Sequence, residues 1–70
     1  MNIITVTSKS IAAIGYDEST MVLRIVFRND GIYDYQGVPV HVFKQFMSSP
    51  SKGKYYVYYI KGRFNQVRIQ

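Results

Sequence analysis

The stretch "SKGKYYVYYIKGRF", residues 51–64, sets Tyr55, Tyr56, Tyr58 and Tyr59 between Lys52 and Lys54 on one side and Lys61 and Arg63 on the other. Two structures compete for it. Tyr, Val and Ile are strand formers, and an apolar run without alternation suits a strand buried on both faces. Against this, Ser51 is a good helix N-cap, Gly62 is a good C-terminal stop, and Tyr56, Ile60 and Phe64 recur every four residues. Local propensity leaves both open.

The flanking segments are clearer. Behind the stretch, "NQVRIQ" places Val67 and Ile69 in alternation, which predicts a short closing edge strand. Ahead of it, Val42, Phe43, Phe46 and Met47 form one helical stripe with Pro39 in the first turn, where a missing N–H costs nothing, and "SSPS" supplies the stop. A helix is expected over 39–48. Further upstream, Leu23, Ile25 and Phe27 alternate with Val22, Arg24, Val26 and Arg28, the period of a strand buried on one face. Residues 10–16, "SIAAIGY", are apolar and run into the turn signal "DEST", which favours a strand over a helix.

The turn "RNDGI" sets the register of the next strand. A type I turn with Gly31 left-handed would pair Arg28 with Ile32 and Phe27 with Tyr33, so that Tyr33 and Tyr35 share a face with Ile25 and Phe27, and Asp34 lies between Arg24 and Arg28. A two-residue "DG" turn would instead set both tyrosines beside Arg28 and Val26 as an aromatic, basic surface. The first register sorts apolar with apolar and is preferred.

Composition bounds the rest. Seventy residues, 47% hydrophobic with seven Tyr and four Phe, describe one folded domain over 1–70, without internal repeat or linker. With no cysteine the chain holds together by packing, which suits a reducing, cytoplasmic setting. No segment nears the roughly 20 apolar residues needed to cross a bilayer, so no membrane partner is expected. Charge is unevenly placed. Residues 1–40 carry Lys9, Arg24 and Arg28 against Asp17, Glu18, Asp30 and Asp34, net −1; residues 41–70 carry Lys44, Lys52, Lys54, Lys61, Arg63 and Arg68 with no carboxylate, net +6. An anionic partner is to be sought in that C-terminal part.

Ser10 and Ile11, "IGYD" at 14–17, the central Tyr33-x-Tyr35, Val38-Pro39, and Ser51-x-Gly53-x-Tyr55 with Ile60 together resemble the KTSC domain over about residues 8–64. That module is found at the C-terminus of some lysyl-tRNA synthetases and as small free-standing proteins of bacteria and phages. The resemblance implies an α+β fold with strands first and helices last, and makes residues 51–61 helical. From its attachment to a synthetase it implies RNA binding; from its occurrence in phages, a role in binding a host protein. The sequence departs from the family where "YVYYI" replaces a more polar interior, and this bears on how much of the helix is exposed, since Tyr55, Tyr58 and Tyr59 cannot all face inward together with Tyr56 and Ile60.

Catalysis finds little support. His41 faces away from the apolar stripe and reads as a solvated surface histidine, with no nucleophile or orienting acid fixed beside it. Asp17 and Asp30 read as turn residues bonding their own backbone, and no phosphate-loop or dinucleotide fingerprint is present. No catalytic residue, metal or cofactor is expected. The expected fold is a small α+β domain: a three-stranded antiparallel meander over 10–36, then two helices near 39–48 and 51–61, with room for a short extra strand at a terminus.

The expected function is that of a non-catalytic RNA-binding module. Lys52, Gly53, Lys54, Lys61, Arg63 and Arg68 would form its anion-binding set, and Tyr33, Tyr35, Tyr55, Tyr58 and Tyr59 its stacking or interface aromatics. The alternative is a phage or mobile-element protein that binds a host protein or a small anion, with the tyrosines as anchors or as the contact of a homo-oligomer.

Overall fold

In the computed structural model, which describes residues 1–70, the chain runs β1 (Asn2–Thr5), β2 (Ile11–Asp17), β3 (Val22–Phe27), β4 (Gly31–Gln36), helix α1 (Val40–Ser48), helix α2 (Lys52–Tyr55) and β5 (Asn65–Arg68). Helix α2 continues into a π-helical turn, Tyr56–Ile60. All five strands are antiparallel, in spatial order β1-β2-β3-β4-β5. This corrects the expected three-stranded meander followed by two helices. The sheet gains a strand at each edge, and the helices lie between β4 and β5 instead of closing the chain. Both added strands are four residues long and exposed along their length, so their side chains carry little pattern. What fixes them is ladder pairing, Ile4 with Ile14 on one edge and Val67 with Asp34 on the other.

The inner face follows the alternation. Ile25 pairs with Tyr33 and Leu23 with Tyr35, two residues away from the expected register, and an even shift leaves every side chain on its expected face. Gly31 is left-handed at φ +84°, as the turn requires. Its missing side chain also leaves room for the Gln70 backbone, which closes onto Ile32.

Arg24 meets Asp34 directly across the strands through two hydrogen bonds of 2.7 and 2.9 Å. Arg28 does not share Asp34 as expected. Its guanidinium donates to the carbonyls of Ser8 (2.7 Å) and Val6 (3.4 Å) and ties the β1–β2 loop to the sheet.

β2 carries a bulge at Ala12. Strict alternation would send Ile11 and Ile14 to opposite faces; the extra residue turns both into the core, where each is fully buried, and bends the strand as it enters the loop before it.

Ile11, Ile14, Leu23, Ile25, Tyr33, Tyr35 and Val38 from the sheet side pack with Phe46 of α1 and Ile60 of the π turn. Aromatic rings fill the remainder. Phe27 meets Tyr33 and Tyr56 edge-on at 5.7 and 5.2 Å, and Tyr16 stacks on Phe43 at 4.7 Å. Each of these phenols finds a partner: Tyr16 donates to the Val38 carbonyl at 2.6 Å, and Tyr35 and Tyr56 share a 2.8 Å bond. The opposite face of the sheet is uncovered, leaving Ile3 and Val67 exposed beside the Arg24–Asp34 pair. No helix is long and apolar enough to cross a membrane.

Candidate functional site

The segment 51–61 is helical, and its caps are those the sequence marks. Ser51 Oγ accepts from the Lys54 N–H at 3.3 Å, and Gly62 leaves the helix at φ +75°. Four tyrosines, a valine and an isoleucine cannot share one α-helical stripe, and the chain resolves this with the π turn, in which the Lys61 N–H reaches back to the Tyr56 carbonyl at 2.8 Å. Tyr55 and Tyr56 lean inward and Ile60 is buried, while Val57, Tyr58 and Tyr59 are pushed out to solvent together.

The first turn of α2 faces the β1–β2 loop across a cleft of about 390 Å³ lined by Thr7, Ser8, Lys9, Ser10 and residues 50–54. No carboxylate and no apolar side chain from the core enters it. Gly53 sets its width: a Cβ there would stand 3.2 Å from Ser10 Oγ, so glycine lets the helix approach the loop closely.

Donors dominate the cleft. Ser8 Oγ accepts from the Ser10 and Ile11 N–H groups, and Ser51 Oγ accepts from Lys54, which leaves both hydroxyl protons free to donate outward. Lys9 and Lys54 are exposed on its two walls. Lys52 is partly committed, with its ammonium donating to the Ser49 carbonyl at 2.6 Å. A second hollow of about 420 Å³ adjoins the first, sharing Ser10, Ser51, Gly53 and Lys54 and adding Val57 and Tyr58.

The expected anion-binding set does not gather in one place. Lys52, Gly53 and Lys54 line the cleft. Lys61 and Arg63 follow the far end of the helix, about 13 Å away at 1.5 Å per residue. Arg63 caps that end, its Nε donating to the Tyr58 carbonyl at 3.0 Å. Arg68 lies on β5 over the Tyr33 ring, 5.4 Å from its centroid, and donates to its hydroxyl at 3.0 Å.

The aromatics divide as well. Tyr33 and Tyr35 are core residues; burial and the bond to Tyr56 push the Tyr35 phenol well above its ordinary value of 10.0, so it is a neutral packing group. Tyr55 lies between Phe46 and Tyr59 and donates to Gln45 Oε1 at 3.0 Å; burial and then the neighbouring Tyr59 raise its phenol too. Tyr58 and Tyr59 keep 62% and 55% of their surface and are the rings free to meet a partner. His41 is exposed, and Asp17 accepts from the Ser19 N–H and hydroxyl, a turn residue bonding its own backbone.

Thr7, Ser8, Lys9 and Ser10 were not visible as site residues, because they stand some forty positions from their partners in sequence. The signal available was a second hydroxyl-rich Ser-Lys pair, Ser8-Lys9, matching Ser51-Lys52.

A five-stranded antiparallel sheet with its helices on one face and a lysine- and hydroxyl-lined cleft at their start defines a small α+β module. Residues 7–64 match the KTSC domain model, and the chain belongs to that family. Its fold superposes on the crystal structure of a KTSC domain protein from Yersinia pestis with a TM-score of 0.97 and 40% identity, covering 99% of this chain and 97% of that one. A small protein from Tsukamurella paurometabola is 33% identical over 64 residues, 91% of this chain and 96% of its own length. A lysine–tRNA ligase from Nostoc sp. is 39% identical over 59 residues, 84% of this chain. The chain spans about a tenth of the length of the ligases it matches.

Proposed function

We propose that this chain is an RNA-binding module whose contact with the phosphate backbone is made in the cleft between the β1–β2 loop and α2. The observation that carries the reading is the cleft's lining: Lys9, Lys52 and Lys54 with the hydroxyls of Thr7, Ser8, Ser10 and Ser51, and no carboxylate. Ammonium groups and outward-pointing hydroxyl protons complement phosphate oxygens. Lysine–tRNA ligases that carry a similar segment act in the company of an RNA, and this supports RNA over other polyanions.

Each phosphate neutralised on a single strand contributes about −0.7 to the slope of log K against log salt. With two or three contacts in the cleft, affinity for single-stranded RNA is expected to fall roughly 7- to 20-fold between about 50 and 200 mM salt. Fluorescence anisotropy of a labelled oligonucleotide at the two concentrations checks this. Absence of saturable binding at the lower salt would overturn the reading, and the uncovered sheet face around Ile3 and Val67 would then be the surface to test for a protein partner.

A further inference from the structure

We infer that the site takes an unpaired nucleotide, with its phosphate held between Lys9 and Lys54 and its base stacked on Tyr58. This rests on the RNA reading above and specifies what it recognises. The two adjoining hollows differ in chemistry while sharing Ser10, Ser51, Gly53 and Lys54: one is lined mainly by hydroxyl and ammonium groups, and the other adds Val57 and the Tyr58 ring. A group that is anionic at one end and flat and apolar at the other fills both, and a nucleotide is such a group.

The position of Tyr58 is built in. The π turn pushes it outward, 62% exposed, and the Arg63 guanidinium holds the carbonyl of the same residue. The ring belongs neither to the core nor to the aromatic pairs of the fold. Its stacking neighbours in the fold would be Tyr55 and Tyr59, yet those two pair with each other at 4.8 Å and leave Tyr58 apart. Inside a duplex both faces of a base are covered by its neighbours, so this contact is open to an unpaired base and closed to all but the end pairs of a helix. Along the body of paired RNA only the phosphate half of the site can engage.

The test compares a short labelled oligouridine with a blunt RNA duplex, by anisotropy at low salt, for the unchanged protein, Tyr58→Ala, Tyr58→Phe and Lys9→Ala/Lys54→Ala. Tyr58 is exposed, so its replacement leaves the fold intact. The single strand is expected to bind better than the duplex. Tyr58→Ala should weaken it by about 5- to 140-fold, the span measured for loss of one base–aromatic stack, and Tyr58→Phe should recover most of that loss. Equal affinity for strand and duplex, or full affinity in Tyr58→Ala while Lys9→Ala/Lys54→Ala is weakened, overturns this inference and leaves RNA binding standing. No binding of either RNA overturns both.

Discussion

Phe46→Ala is expected to destabilise the protein by about 3 to 5 kcal/mol, the usual cost of truncating a buried phenylalanine. A domain of this length is held by roughly 4 to 10 kcal/mol in total, so the variant forfeits from about a third to all of its stability. The reason lies in the packing of the two helices. Phe46 is the one fully buried side chain of α1, and its ring stacks on Tyr55 of α2 at 5.4 Å, which in turn meets Tyr59. Removing it opens a cavity under α1 and takes away the surface on which α2 rests. The cleft wall formed by Ser51, Gly53 and Lys54 would then lose its position together with the core. Urea unfolding followed by far-UV circular dichroism measures the effect. A loss below about 1 kcal/mol would show that α1 does not pack on the sheet through this residue.

The second large effect is on binding. Lys9→Ala/Lys54→Ala is expected to lower affinity for single-stranded RNA about thirtyfold at low salt, on the order of 1 kcal/mol for each solvent-screened phosphate contact. It should also flatten the salt slope by about 1.4, twice the single-strand value per phosphate. Both lysines are exposed, and neither takes part in an ion pair or in the core of the fold, so stability should be unchanged within about 0.5 kcal/mol. Lys61→Ala, at the other end of the helix, is the matched control for loss of one positive charge. If it weakens binding as much as either cleft lysine alone, the attraction comes from net charge and not from the cleft.

How far the sequence determined these residues depends on the range of the interaction that places them. Local chemistry was readable. Ser51 caps, Gly31 and Gly62 take positive φ, and the stripe of Val42, Phe43, Phe46 and Met47 turns inward, because each is decided within a few residues. The facing of Tyr33 and Tyr35 was readable despite a register two residues out, since facing depends only on parity.

The bulge at Ala12 was not. It betrays itself only as a three-residue spacing between two buried isoleucines, which reads equally well as part of a helix. The edge strands were only half legible, because exposed four-residue strands are specified by the neighbour they pair with. Lys9 joined the site for the same kind of reason. The bulged strand and the Arg28 tether swing its loop onto α2, and no window of sequence contains both sides of that contact.

The most direct measurement is a titration of single-stranded RNA into the isotopically labelled protein, followed by amide chemical shifts. Shifts should be largest at Thr7–Ser10, at Ser51, Gly53 and Lys54, and at Val57 and Tyr58, with Ile3, Val26, Ile32 and Val67 on the uncovered sheet face unmoved. Saturable shifts confined to that sheet face, or to Lys61 and Arg63, would contradict the placement of the site in the cleft.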